Sequence, residues 1–235
     1  MGFSEAVQRN TGSKQNVTFT RDFLQLTDDH KTVIRVLDEK PHAFKQHYVP
    51  EGHKAFPNVN KGKGMSITCP GYDVCPICSW NKTQDKTSRL KLSTKFAFNV
   101  LDRTPVITCP KCNAEHYEKG GTYTTECHCG QSFAGVEPKS RNKVQIMQKG
   151  IKIMDQLITF EKEFGPLSEY DIKCDTRGKG KGAVTVCLPK QKSELDLSQY
   201  AADKYNIVES TKSLTPDQIN SILEGKNYID VVQGK

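Results

Sequence analysis

Of the nine cysteines, all but Cys174 and Cys187 fall into two groups whose spacing suits metal ligation. Cys69, Cys75 and Cys78 stand in the stretch CPGYDVCPIC, with C-x5-C-x2-C spacing. Cys109, Cys112, Cys127 and Cys129 follow as C-x2-C-x14-C-x-C. In the second group a C-P-x-C turn points two sulfurs inward. A C-x-C knuckle with Gly130 behind it completes four thiolates, the donor set of a structural zinc ion. CPKC and CHCG together read as a zinc ribbon, with His116 or His128 as alternatives to one thiolate. The opening MGFSEAVQRN shows no signal-peptide pattern. The cysteines are therefore read against a reducing compartment, as ligands rather than disulfides, and the expected localisation is cytoplasmic.

The first group lacks a fourth ligand. His47 and His53 both lie upstream of it. HAFKQHYV alternates like a strand and would hold His47 rigidly, whereas EGHKAFPN places His53 in a loop, so the pattern favours His47. A Cys3His set leaves no open coordination position, which points to a structural ion. The expected complement is two Zn2+ per chain. Cys174 and Cys187, in apolar surroundings, read as buried small hydrophobes.

Short strands must carry these ligands. DFLQL, TVIRVL, HAFKQHYV, KFAFNVLDR and NKVQIMQK read as strands. GIKIMDQLITFEKEFG has helical spacing, and YDIKC and GAVTVCLP flank the loop DTRGKGK as a hairpin. TPDQINSIL opens a short helix, with Thr215 as cap and Pro216 in its first turn. Many short strands with one intervening helix predict a mainly β (α+β) fold. The expected form is a small antiparallel barrel with a zinc module placed between two of its strands. The expected boundaries are a flexible N-terminal arm over 1–20, a core over 21–189 and a polar C-terminal segment with a short helix over 190–235. Within the core the zinc subdomain covers 47–80 and the ribbon 105–134.

The formal net charge is +7. Lys82, Lys86, Arg89, Lys91, Lys95 and Arg103 crowd one stretch, with Trp80, Phe96 and Phe98 interleaved. Cations neutralise phosphates while rings stack on unpaired bases, so this stretch is the expected single-strand-binding surface. Arg177, Lys179 and Lys181 in the hairpin, with Lys139, Arg141 and Lys143, would widen it. Phe96 and Phe98 share a strand face, so either both line a cleft or both enter the core.

The ordered set TVIRVL, a strand His followed by C-x-x-YD-x-CPxC, a basic segment leading to FAFNVLDR, and the hairpin YDIKC…GAVTVCLP resembles the single-stranded-DNA-binding (helix-destabilising) proteins of T-even-type phages. The resemblance runs from about residue 22 to 189. It implies that the barrel is OB-fold-like, with an inserted zinc ribbon and a built-in zinc subdomain whose one zinc is held by His47, Cys69, Cys75 and Cys78. It also implies a DNA cleft lined by Trp80, Arg89, Lys91, Lys95, Phe96 and Phe98. The implied role is coating and protecting single-stranded DNA, largely without sequence preference, in phage replication, recombination and repair. The host cell cytoplasm is then the expected compartment. Single-stranded DNA is the expected ligand, with RNA as a variant of it and replication or recombination proteins as further partners. Three features depart from the family. The ribbon is an insertion, residues 190–235 are nearly neutral rather than acidic, and the basic N-terminal motif is reduced to Arg9 and Lys14.

The alternative reading is a transcription-type factor whose zinc ribbon contacts RNA polymerase or duplex DNA. An enzyme is not expected. RGKGKG lacks the G-x4-G-K-[ST] phosphate loop, H-E-x-x-H does not occur, and the H-x-E of His116 and Glu118 has no P-C-x-x-C to complete a deaminase pair. No apolar run reaches membrane-spanning length, so no membrane partner is expected.

Overall fold

A computed structural model describes residues 23–57, 59, 64–178 and 182–233. The chain divides into two units, one built from residues 23–41 and 97–207, the other from 42–96 and 208–233. Strand β4 (Leu92–Asp102) contributes its first half to the second unit and its second half to the first.

In the first unit, β1 (Thr32–Val36) is buried at every position. It lies between β4 and β9 (Tyr170–Arg177), antiparallel to both. Val36 faces Val100 and Ile34 faces Ile172 across those ladders. A strand enclosed in this way loses the in-out alternation of a half-exposed one and reads as a continuous apolar run. β10 (Val184–Lys192) pairs with β9, and β8 (Lys143–Gly150) pairs with β4. Helix α2 (Ile151–Phe164) follows β8 and buries Ile153, Met154 and Leu157, the spacing of one helical face. It ends at Gly165, whose φ of 90° is costly for any residue with a Cβ. Leu37, Leu101 and Val144 are covered by Leu195, Leu197, Tyr200 and Tyr205, from the segment after β10. The expected DFLQL strand reduces to one parallel bridge, Phe23 to Ile146, before the polar turn at Asp28.

The ribbon is a separate three-stranded sheet, with β5 (Pro105–Thr108) between β6 (Glu115–Tyr117) and β7 (Lys139–Ser140). A charged clasp fastens it. Arg141 donates to Asp102 Oδ2 at 2.9 Å and to Glu115 Oε1 at 2.9 Å, while Thr104 donates its hydroxyl and amide to Asp102 Oδ1.

In the second unit, β2 (His42–Val49) pairs antiparallel with β3 (Met65–Thr68) and also with β4. Helix α1 (Pro76–Lys82) opens with proline at its first turn, where the missing N–H costs nothing. A turn at Ile207–Ser210 (α3) leads to α4 (Pro216–Leu223) and α5 (Tyr228–Gln233). In α4 the Thr215 side chain accepts from the Gln218 N–H while the Gln218 side chain accepts from the Thr215 N–H, a reciprocal capping box. Ile219 and Ile222, at i,i+3, enter the same apolar cluster as Val49, Ile67, Cys75, Ile77, Cys78 and Leu90.

The fold is mainly antiparallel β with helices, but no closed barrel is found among the described residues: β10 ends the strand path of the first unit and β3 that of the second. From residue 190 onward the chain packs apolar residues into the clusters of both units. The expected N-terminal arm lies outside the described residues. No helix among the described residues is long and apolar enough to cross a membrane.

Candidate metal centres

His47, Cys69, Cys75 and Cys78 converge in the second unit, and their ligand atoms all lie within 4.8 Å of one another. Strand register places His47, opposite Ile67, on the face that carries Val49 into the core. Cys69 directly follows β3, its N–H bonded to the Lys45 carbonyl at 2.8 Å. Cys75 is the N-cap of α1 and Cys78 lies in its first turn, so one short helix delivers two ligands. His47 Nε2 is 3.3 Å from Cys78 Sγ and 3.6 Å from Cys75 Sγ, and Cys69 Sγ is 3.7 Å from Cys78 Sγ. These are the edges of a small tetrahedron that one ion can fill. His47 Nδ1 is buried without a hydrogen-bond partner among the described residues, so the ring is aimed by its strand and its packing. His53 takes another role, stacking on Phe56 at 5.4 Å and meeting Trp80 edge-on at 5.3 Å.

Burial disfavours the charged form of His47, Cys75 and Cys78. Burial, then the neighbouring Cys69 and Cys75 sulfurs, pushes the Cys78 thiol up to about 12. Burial raises Cys75 too, opposed by the amides of Cys78 and Ile77. Burial holds His47 below its ordinary 6.5, which keeps the imidazole neutral and able to ligate.

Cys109, Cys112, Cys127 and Cys129 form the second group. Cys109 and Cys129 sulfurs are 3.5 Å apart, as are those of Cys112 and Cys127. Burial opposes ionisation of Cys109, yet the amides of Cys112 and Lys111, with neighbouring thiols, bring it down to about 6. Gly130 closes the second knuckle, its N–H bonded to the Cys127 carbonyl at 2.9 Å and its φ at 80°. His116 Nε2 stands 3.3 Å from Cys127 Sγ and His128 Nδ1 3.5 Å from it, so both flank a sulfur of the four-cysteine group. Ile107 and Phe133 pack beneath the ribbon sulfurs.

The sequence-predicted contact residues separate by burial. Lys82, Arg89 and Lys91 are exposed in the second unit, while Lys95 and Phe96 are half-buried. Asn81 braces the basic loop, donating to the Leu90 carbonyl at 2.9 Å and accepting from the Leu90 N–H at 2.8 Å. Arg89 Nε donates to the Gln84 carbonyl across the same loop. Trp80 is half-buried and packs against Phe56 and the apolar cluster. Phe98 is a correction: at 2% exposure it is core and offers no ring face to a ligand, although Phe96 two residues earlier is half-buried. Arg103 pairs with Asp171 at 3.5 Å in the first unit, and Arg177 is exposed beside Asp175. Lys179 and Lys181 lie outside the described residues.

The sequence reading missed Tyr48 and Tyr72, whose exposures are 44% and 58%. Tyr72 sits in the loop between Cys69 and Cys75, with Lys82 Nζ 4.5 Å above its ring. Its signal was an aromatic inside a metal-binding loop, where ring burial is hardest to arrange. Tyr48 follows His47 on β2, so strand alternation turns it outward as His47 turns inward. No protein-family model matches the chain, and a search of curated proteins finds no match.

Proposed function

We propose that this chain is a zinc-braced protein that binds single-stranded nucleic acid, with single-stranded DNA as its ligand and its metals in structural roles. The observation that carries this reading is Tyr72, an exposed ring on the metal-braced loop with the Lys82 ammonium over its face. Exposed Arg89 and Lys91 extend the basic character along the loop that Asn81 fixes. An aromatic face beside cations is the minimum kit for stacking an unpaired base while neutralising its phosphate.

Zinc is the ion the donor sets favour. Bonds of about 2.3 Å to sulfur and about 2.0–2.1 Å to nitrogen in a tetrahedron put sulfurs roughly 3.8 Å apart and sulfur and nitrogen roughly 3.6 Å apart. The separations of 3.7, 3.6 and 3.3 Å in the first group lie at or just inside these values. Bound there, zinc would cross-link β2, the end of β3 and α1. Four protein ligands leave it no site for substrate, so the reading excludes a catalytic role for these ions. An OB-type barrel, coating of single strands in phage replication, recombination and repair, and contacts with proteins of those processes belong to the same proposal. The strand path β10-β9-β1-β4 with β8 on β4, and the metal ligands carried on β2 and after β3, are compatible with that barrel.

The test is anisotropy of a labelled oligonucleotide, single-stranded against duplex, over a salt series. Single strands should bind more tightly, with the affinity falling as salt rises. Tyr72→Ala should cost about 1–3 kcal/mol of binding, and Lys91→Ala should flatten the salt slope by about 0.7. Equal affinity for duplex, or no salt dependence, overturns the proposal.

A further inference from the structure

The two cysteines outside the metal groups face each other. In the β9–β10 ladder Cys174 is directly opposite Cys187, and both side chains are buried. Their neighbours on the same face, Thr176 and Thr185, are also paired, with hydroxyls 2.9 Å apart, so the register is fixed on that face. The Cys187 N–H donates to Gln156 Oε1 of α2 at 2.9 Å, away from β9. The pair therefore occupies a non-hydrogen-bonded position of the ladder. There Cα atoms approach to about 4.5 Å and side chains come closest. That separation lies within the roughly 4.4–6.8 Å that a disulfide spans. The two sulfurs are 2.7 Å apart.

We propose that Cys174 and Cys187 are a peroxide-modified dithiol that closes reversibly into an intrachain disulfide, tying β10 to β9. The site needs hydrogen peroxide, a molecule small enough to reach a buried pair at the end of a strand path. The Cys187 thiolate attacks one peroxide oxygen, the O–O bond breaks, and the departing hydroxide takes up a proton as water. The product is a sulfenic acid on Cys187. The Cys174 sulfur then displaces that hydroxyl, forming the S–S bond, and its own proton leaves with the hydroxyl as a second water. The two sulfurs give up two electrons and one peroxide is reduced to two waters. The order of events follows from asymmetry within the pair. The hydrogen bond with Cys174 lowers the Cys187 thiol; burial opposes that, and Lys149 adds to it. The same hydrogen bond, then burial, raises Cys174. Cys187 is thus the sulfur that reacts first and Cys174 the one that resolves it.

The test is peptide mapping of the metal-loaded full-length chain after graded peroxide, alkylation and digestion without reductant. The expected product is one linked peptide pair holding Cys174 and Cys187, lighter than the two free peptides by two hydrogens and lost on reduction. In Cys174→Ser, which keeps a hydroxyl to donate to Cys187 but cannot resolve it, a sulfenic acid should persist on Cys187 and be captured by dimedone; in Cys187→Ala, Cys174 should remain alkylatable. Amide exchange in β10 should slow on oxidation of the wild-type chain. The proposal is overturned if both cysteines stay alkylatable at peroxide doses that oxidise an exposed thiol. It is equally overturned if either is recovered in a disulfide with a cysteine of the metal groups, or if Cys187 proceeds to sulfinic acid with Cys174 untouched.

Discussion

Replacing Ile222 by alanine should weaken the second unit by about 3 kcal/mol. The side chain is 1% exposed and packs in the cluster that holds Cys75, Ile77 and Cys78. The change removes three carbons, worth about 2.4 kcal/mol at ~0.8 kcal/mol each. The void left beneath α1 adds to that, within the ~2–5 kcal/mol span of such truncations. Alanine's better helix propensity returns about 0.4 kcal/mol to α4. Trp80, the one tryptophan of the chain, packs against the same cluster, so its fluorescence in urea reads this unit directly. With a slope of about 1–3 kcal/mol per molar, the midpoint should fall by roughly 1–3 M. Val208→Ala is the control, at 60% exposure, and should stay within about 0.5 kcal/mol of the wild type. An unchanged midpoint for Ile222→Ala would mean that α4 is not part of the core around the metal ligands.

Metal analysis should find two ions per chain, and Cys75→Ser should lower that to one while unfolding the 69–82 region, as seen by faster proteolysis there. Because burial drives the Cys78 thiol to about 12, an ion entering the first site displaces protons. Its affinity should therefore climb with pH over about 6.5–8.5, and a chelator competition independent of pH would refute this. Burial holds His47 below 6.5, so the unfolded chain takes up that proton first. In the metal-free chain its contribution to stability should be complete above about 6.5 and be lost as pH falls through the lowered value, and His47→Gln should remove that dependence. Arg141→Met should cost about 3 kcal/mol by stranding Asp102, whose side chain is 3% exposed, and adding Asp102→Asn should restore part of it in thermal melts.

The two candidate metal clusters were legible because a thiolate cage writes itself locally: cysteines three residues apart are readily brought together by one turn. Helix α2 and the Thr215 cap of α4 were legible for similar reasons, since periodicity and capping act within a few residues. What could not be read was decided by distant partners. PICSWNK is too short and too rich in proline and cysteine to announce a helix, and α1 forms because its cysteines and Ile77 are buried together. Phe96 and Phe98 share a strand face, yet they differ in burial along one strand, which no two-residue rule conveys. The apolar residues of α4 were visible, but not the cluster that takes them in. For Cys174 and Cys187, the facing of the two sulfurs depended on hairpin register rather than on composition.

The second unit is discontinuous in sequence, and this sets a timetable for the newly made chain. Its candidate metal ligands leave the ribosome by Cys78, but Ile219 and Ile222, which pack in the same cluster, follow only after the whole of the first unit. At roughly 5–20 residues per second that interval lasts several seconds or more. During it the four ligands must either stay loosely gathered and open to oxidation, or take their ion early and wait with an uncovered apolar face. An early ion would act as a placeholder for α4, holding β2 and α1 together until that helix arrives. Cellular metal supply would then govern the yield of folded chain as well as the stability of the finished one.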